Sequence, residues 1–363
     1  MTQSPAGDGD KGVVATTTVG GPTVWRRWGA PVSRLVVSLA FTFLGLLFIT
    51  FVIGRIVPVD PVLAMVGDRA PQSVYDRVYE ELGLDLPVWQ QFAIYVGDVL
   101  QGDFGESVLT SNPVMEDIAR VFPATLELAT LGVLIGIVFG VPMGVTAAYY
   151  QNRWPDQVVR VIGLVGYSVP IFWLGLVGLL IFYANLGWVS GPGRVDFIFD
   201  GMVDDVTGVL LIDSAIAGNW QVFRNALSHL ILPATLLGYF SLAYISRMTR
   251  SLMIEQLSQE YVTTARVKGV SERRIVWRHA LGNIAVPLIT VVALSYASLL
   301  EGSVLTETVF AWRGLGLYIT NALLAADMNA VLGGTIVVGM VFVGVNLISD
   351  VLYRVVDPRA RQA

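Results

Sequence analysis

Residues 260–281 read EYVTTARVKGVSERRIVWRHAL and form the core of the most basic segment in this chain of 363 residues. Seven of the 23 Lys and Arg residues lie between Arg247 and Arg278. Uncharged stretches that are long enough to cross a lipid bilayer as helices flank this segment on both sides. The pattern predicts a polar loop that is held at one face of a membrane and is available for docking.

The composition of the chain is that of a membrane protein. Hydrophobic residues make up 54% of it and charged residues only 14%, whereas soluble domains are about 25% charged. Six stretches of about 20 residues or more contain no Asp, Glu, Lys or Arg, and a helix of that length crosses the hydrocarbon core. We therefore predict an all-α polytopic membrane protein with six transmembrane helices, within Leu35–Gly54, Leu128–Asn152, Val161–Gly193, Asn225–Ser246, Ala280–Leu300 and Met328–Ser349. The third stretch exceeds one span, so its tail is assigned to a loop.

The distribution of Lys and Arg predicts the orientation of these spans. With the N-terminus inside, 16 of the 23 basic residues are cytoplasmic, and the other seven face outward. Cytoplasmic loops of membrane proteins carry an excess of Lys and Arg. We therefore expect a multi-pass protein of the cell membrane with both termini in the cytoplasm.

This topology divides the chain into a tail and one membrane domain. Residues 1–33 are predicted to be a disordered cytoplasmic tail, because their first part is rich in Gly, Thr and Asp and lacks a hydrophobic period. Residues 34–360 form the transmembrane domain, with outer insertions at 58–123 and 191–227 and a cytoplasmic loop at 250–282. Amphipathic stretches within the first insertion predict short helices at Val74–Leu82 and Val88–Leu100.

The basic loop has the sequence signals of two short helices joined at an angle. Gly269 suits the left-handed end of a first helix, and Ser271 suits the N-cap of a second helix that continues to Leu281. Ala265 and Gly269 are four residues apart, which predicts a small-residue face that allows close backbone approach. On charge alone, two interpretations remain open: the loop docks on a protein, or it only contacts lipid headgroups.

Several motifs outside the loop occur in a characteristic order. They are Leu82-Gly-Leu-Asp85-Leu-Pro87, Gly102-Asp-Phe-Gly105-Glu-Ser107, Pro123-Ala-Thr125-Leu-Glu127, His279-Ala-Leu-Gly-Asn-Ile-Ala-Val-Pro287, Glu307-Thr-Val-Phe310 with Gly314-Leu-Gly316, and Asp357-Pro358-Arg359. With the basic loop, they resemble the permease subunits of the dipeptide/oligopeptide/nickel family of ABC importers over most of residues 35–360. One departure is Gly282, at a position where the family usually has proline.

The resemblance implies a type I ABC-importer permease fold and a set of partners. Such a subunit works with a second permease subunit, cytoplasmic ATPase subunits, an extracytoplasmic substrate-binding protein and membrane lipid. Residues 250–282 would be the coupling loop that docks on the ATPase, and the translocation path would carry peptides or a similar small solute. The residues expected to carry this ATPase coupling are Tyr261, Ala265, Arg266, Lys268, Gly269, Arg273, Arg274 and Arg278.

A few polar residues and a row of glycines lie within or beside the predicted spans. Glu127 is at the mouth of the second span and could pair with Arg120. Asp350 is near the cytoplasmic end of the last span, where pairing with Arg354 or Arg359 is expected. Glycines spaced four residues apart predict a tightly packed helix face, and they are Gly132, Gly136, Gly140 and Gly144.

The sequence also limits the kinds of chemistry that we expect this protein to perform. It has no cysteine, only two histidines and no phosphate-binding Gly-Lys-Ser/Thr motif, so we predict no catalytic residue, metal site or cofactor. No nucleic-acid partner is expected, and an intramembrane enzyme lacks a candidate catalytic group. The alternative function is an ion-coupled secondary transporter, which usually shows midplane acids and internal repeats.

Overall fold

The computed structural model of the chain describes residues 24–56, 61–67 and 69–356. These residues form helices and loops, and none of them belongs to a β-strand. The predicted disordered tail lies outside the described residues up to residue 23. From Val24 onward the described chain is helical, whereas the predicted tail extended to residue 33. The chain divides into two units, Met1–Gly45 and Leu46–Ala363, and the second contains all the packing described below.

The helices follow one another with short connections. In chain order they are α1 (Val24–Ile56), α2 (Pro61–Val66), α3 (Gln72–Glu81), α4 (Val88–Leu100), α5 (Val114–Tyr149), α6 (Trp154–Ser168), α7 (Ile171–Asn185), α8 (Leu210–Ile216), α9 (Trp220–Leu257), α10 (Glu260–Val267), α11 (residues 272–283), α12 (Ala285–Val309), α13 (Leu315–Leu324) and α14 (Met328–Val356).

Five of these helices are long and apolar enough to cross a membrane, namely α1, α5, α9, α12 and α14. The remaining predicted span, Val161–Gly193, corresponds to two helices, α6 and α7, that meet at an angle of 100°. Pro170 explains the break: a residue before proline avoids the helical region, and Val169 is extended at φ −101° and ψ 127°. The structure therefore has the six predicted spans only if α6 and α7 together are counted as one span. The residues after Asn185 leave the helix, as predicted for the tail of that stretch.

The row of glycines on α5 packs against α9, as the four-residue spacing predicts. A Cβ atom added at Gly132 would lie 3.0 Å from the Cβ of Leu237, and one at Gly144 would lie 2.5 Å from the Ser246 carbonyl oxygen. Contacts advance in the same direction along both helices, so α5 and α9 run parallel. Small residues let two helix backbones approach closely in a membrane, where the hydrophobic effect does not drive association.

α12 completes the central core by packing antiparallel to α5 and α9. Ser241 of α9 and Ser295 of α12 share a buried hydrogen bond of 2.9 Å between their hydroxyl oxygens. Apolar side chains from α5, α9 and α12 surround this contact, and Leu128, Leu230, Leu237, Val291 and Leu299 are among the buried ones.

Two ends of this bundle differ in structure. At the end where α5, α9 and α14 begin, which we call the cap end, lie α3, α4, α8 and α13. The two short helices predicted in the first insertion are confirmed as α3 and α4, and the second insertion contributes α8 and a 3-10 turn at Phe197–Phe199. The opposite end, the basic end, carries α10 and α11.

Candidate functional site

The turn between α10 and α11 is built around Gly269. Its φ of +76° is in the left-handed region, where glycine is favoured, as the sequence predicts. The Val270 amide donates to the Ala265 carbonyl at 3.1 Å, and the Gly269 amide donates to the Arg266 carbonyl at 3.0 Å. This pair of bonds is the Schellman helix end. Ser271 occupies the N-cap position of α11, although its side chain makes no capping hydrogen bond.

The basic loop, residues 250–282, is anchored to the transmembrane bundle by apolar side chains. Val262 of α10 and Ile275 of α11 are fully buried. Val276 and Ala280 pack in one cluster with residues from α5 and α9, including Val145, Ala148 and Met253. The basic loop is therefore packed directly against the ends of two spanning helices.

The outward face of α10 is open. Nothing lies within 4 Å of the position that a Cβ atom would occupy at Gly269, and Ala265 is half-buried. Between them Val267 leaves 84% of its surface exposed. The predicted small-residue face is thus open at Gly269 and half-buried at Ala265, and the exposed Val267 lies between them.

Arg266 differs from the other predicted coupling residues because it has a partner within the loop. Its Nε donates to the Glu272 carboxylate at 2.8 Å, and its second guanidinium nitrogen donates at 3.3 Å. The hydrogen bond to Glu272 raises the pKa of the Arg266 guanidinium. This ion pair joins α10 to α11 across the Gly269 turn. Arg266 therefore connects the two helices of the loop and is not an unpaired cation.

The remaining predicted basic residues are exposed. Lys268, Arg273, Arg274 and Arg278 make no ion pair with the residues that the structure describes. Tyr261 is half-buried, and its hydroxyl donates to the Gln256 side chain at 3.2 Å, which ties α10 to the end of α9. The basic loop therefore presents four uncompensated positive charges on a fixed support.

A buried ion pair at the cap end was not predicted from the sequence. Arg194 donates to the Glu127 carboxylate at 2.8 Å and to the Gly208 carbonyl at 3.1 Å. The Leu211 amide, at the start of α8, donates to the other Glu127 oxygen at 3.2 Å. The predicted pairing of Glu127 with Arg120 is wrong, since Arg120 pairs with Glu116 in its own helix.

The motif containing Glu307 also joins elements at the cap end. The buried Glu307 carboxylate accepts hydrogen bonds from Thr125 at 2.8 Å, from Ser303 at 3.0 Å and from the Leu317 amide at 2.9 Å. A Cβ atom at Gly314 would lie 2.6 Å from this carboxylate, which explains a glycine there. Two motifs far apart in sequence thus form one polar cluster that joins α5, α12 and α13.

Other polar residues noted in the sequence have local partners. His229 is buried, and its ring nitrogens lie 2.8 Å from the Gly191 carbonyl and 3.2 Å from Asp196, which is a structural role. The Asn346 side chain donates to the Phe342 carbonyl one turn earlier in α14. The side chains of Asp350 and Arg354 are not among the described ones. No group of three or more metal-ligating side chains occurs within the described residues.

A large apolar cavity lies on one side of the bundle, between α5, α12 and α14. Its volume is about 640 Å³. Thr130 and Tyr296 bring polar groups to its wall, and their hydroxyl oxygens are 3.1 Å apart. The other lining residues are mostly aliphatic and include Val133, Ile137, Leu288, Val292 and Val345. The cavity therefore has a mainly apolar wall with one pair of hydroxyl groups.

Comparison with known proteins identifies the family to which this architecture belongs. Residues 140–362 match the family "Binding-protein-dependent transport system inner membrane component", and residues 31–129 match the N-terminal family of the same components. The chain is 44% identical over 322 residues to the probable D,D-dipeptide transport system permease protein DdpB of Escherichia coli K12, covering 89% of this chain and 94% of that protein. It is 41% identical over 331 residues to the di/tripeptide transport system permease protein DppB of Pseudomonas aeruginosa UCBPP-PA14, covering 91% and 98%.

A solved structure supports the fold. The MetNI methionine ABC transporter in an inward-facing conformation matches with a TM-score of 0.51 and 17% sequence identity, covering 68% of this chain and all of that chain. These comparisons offer no support for the ion-coupled alternative. The chain belongs to the family of binding-protein-dependent transport system inner membrane components, and it is the non-catalytic, membrane-spanning permease subunit of an ATP-driven ABC importer.

Proposed function

We propose that this permease carries small peptides and forms their path together with a second permease subunit. The named relatives are a D,D-dipeptide and a di/tripeptide permease, each matched over nearly its whole length. The cavity beside α5, α12 and α14 is open on the outer surface of the lone bundle, so a second subunit is needed to enclose it. Uptake of a radiolabelled dipeptide by proteoliposomes that contain the full transporter tests this proposal, and no uptake would contradict it.

The basic loop is the docking site for a cytoplasmic ATPase subunit. The observation that carries this proposal is the combination of exposed, unpaired cations with a rigid apolar anchor on α5 and α9. A loop that only contacted lipid headgroups would need the charges but not the anchor. Val267 and the Gly269 turn would enter a groove on the ATPase, while Lys268, Arg273, Arg274 and Arg278 would meet its acidic or carbonyl groups. Arg266 acts within the loop.

Substitution of Gly269 tests the docking. In Gly269→Val, a β-branched side chain is added at a positive φ, and it also blocks approach to α10. Gly269→Asn separates these effects, because Asn tolerates the left-handed conformation. We expect both variants to insert normally but to lose ATPase association and stimulated hydrolysis.

The matched control for this test is Gly282→Ala. Gly282 lies in the same loop, has open space around its Cβ position and does not have a positive φ. It should retain ATPase association and uptake. If Gly269→Asn bound the ATPase and transported peptide as the wild type does, the docking proposal would be wrong.

The cap end receives the substrate-binding protein. Three large apolar side chains of the second insertion are highly exposed there, Phe197, Ile198 and Val206, with Phe197 reaching 92%. Acidic residues lie among them, at Asp200, Asp204 and Asp205. Exposed apolar groups within a polar rim are typical of a protein-binding surface. A photo-cross-linker placed at Ile198 should capture the binding protein during transport, whereas adducts with lipid alone would contradict this assignment.

The orientation is proposed from the charge distribution, with both termini and the basic loop in the cytoplasm. The chain has no cysteine, so a single introduced cysteine reports its own position. Asp85 and Gln259 are both exposed and lie in segments at opposite ends of the bundle. We expect a membrane-impermeant thiol reagent to label Asp85→Cys from outside and Gln259→Cys only after the membrane is opened. The reverse result would invert the topology.

A further inference from the structure

The spanning helix α12 carries a charged side chain that is exposed. Glu301 of α12 is exposed and makes no ion pair or side-chain hydrogen bond in the part of the chain that the structure describes. It lies eight residues before the end of α12 at Val309, which places it about 12 Å inside the helix. By contrast, Glu127 and Glu307 are buried and fully hydrogen-bonded.

The exposed face of α12 carries Glu301 near the cap end of the helix, one residue beyond the predicted span Ala280–Leu300. Ionisable residues within or beside membrane helices usually face a water-filled cavity or a partner. Leu294, Ser298 and Leu305 are exposed on the same face, at helical spacings of four and three residues. This stripe is an uncovered face of α12 within the described chain.

Glu301 stands at the edge of an apolar cavity of about 230 Å³ between α5, α12, α13 and α14. The cavity wall consists of aliphatic and aromatic side chains with Thr125 and Thr335, and Glu301 is the one titratable residue among the described residues that line it. Glu307 lies behind this wall, at Gly316, with its carboxylate satisfied by Thr125, Ser303 and Leu317. The site combines one free negative charge with an adjacent apolar recess.

We propose that Glu301 lines the translocation path and binds the α-ammonium group of the peptide in transit, while the recess takes the first side chain. This inference rests on the proposed function, because it assumes a peptide substrate. Charge complementarity selects the ammonium end rather than the carboxylate end of the peptide. A carboxylate that accepts a charged hydrogen bond from the substrate stabilises it more than a neutral group does.

The test uses the complete transporter in proteoliposomes, with saturating binding protein and radiolabelled alanyl-alanine. We expect Glu301→Gln to lower the maximal uptake rate about tenfold, and Glu301→Asp to retain most of it. Subunit co-purification should be unchanged in both variants. Gly302→Ala is the control, because it changes the neighbouring residue of α12 without removing a charge, has nothing within 4 Å of its Cβ position and should transport normally.

A pH series separates binding of the ammonium from a structural role. The α-amino group loses its proton at a pKa of about 7.7–8.0, so the advantage of a carboxylate disappears above that pH. The ratio of the wild-type rate to the Glu301→Gln rate should therefore fall towards one between about pH 7 and pH 9. Taking the ratio cancels the pH dependence of the other subunits.

Two results would overturn the inference. Equal rates for wild type and Glu301→Gln across the pH range would remove Glu301 from the path. Dissociation of the two permeases in Glu301→Gln would show that it pairs with a cation of the second permease instead. If the wild-type complex itself failed to transport the dipeptide, the proposed function would fall and this inference with it, which is distinguishable from the first two results.

Discussion

The buried ion pair of the cap end and the cations of the basic loop lie in opposite environments. At the cap end, Glu127 and Arg194 pair at 2.8 Å with only 3% and 16% of their side-chain surfaces exposed. In the basic loop, Arg273 and Arg274 are exposed and have no ion pair among the described residues. Charges that are buried and paired stabilise the fold of one subunit. Exposed and unpaired charges on a rigid support are available to bind a partner. The comparison indicates that the charges of the Glu127–Arg194 pair are satisfied within this subunit and that those of the loop are not.

The largest loss of stability is expected from breaking the buried pair. Arg194→Met leaves the Glu127 carboxylate buried without its cation, which typically lowers the free energy of unfolding by about 3–5 kcal/mol. Arg120→Met is the matched control, because Arg120 is exposed and pairs with Glu116 at 3.2 Å and with Asp117 at 3.8 Å, and pairs of an exposed cation are worth about 0–1 kcal/mol. Denaturant unfolding in mixed micelles, followed by helical circular dichroism, measures both. Similar losses in the two variants would show that the cap end does not depend on its buried charges.

An intermediate loss is expected where α5 and α9 touch. In Gly136→Ala, the new methyl group would lie 2.6 Å from the Ser241 Cβ atom, and such overpacking lowers stability by about 1–3 kcal/mol. Gly302→Ala provides the control within a spanning helix, since nothing lies within 4 Å of its Cβ position. The same unfolding assay should show no loss for Gly302→Ala. A tolerated Gly136→Ala would indicate that the two helices separate more easily than the structure shows.

The smallest change in stability is expected in the basic loop, where the effect should appear in assembly instead. Arg274→Ala should alter the free energy of unfolding by less than about 0.5 kcal/mol, yet weaken ATPase binding. Arg266→Ala should lose about 0.2–1 kcal/mol from its exposed pair with Glu272. Titration of the ATPase against the purified permease separates the two variants. Unchanged ATPase affinity in Arg274→Ala would remove that residue from the docking surface.

Local features of the sequence predicted much of the fold. The uncharged stretches located the spanning helices, and the glycine spacing on α5 predicted a tightly packed helix face, although the structure alone identified α9 as its partner. The turn at Gly269 was predictable because a positive φ favours glycine whatever the surroundings. The break between α6 and α7 had a local signal in Pro170 as well, but the count of uncharged residues alone did not register it.

What the sequence determined by itself was the class of protein, its spans and the existence of a basic, two-helix loop, because these depend on hydropathy, charge counts and backbone preferences of neighbouring residues. Only the tertiary structure decided which charges are satisfied. Arg194 lies far from Glu127 in the chain, and they meet only because the second insertion folds over the start of α5. Glu301 is left without a partner for the same reason: the neighbours of a side chain are set by packing between helices, which spacing along one chain does not reveal.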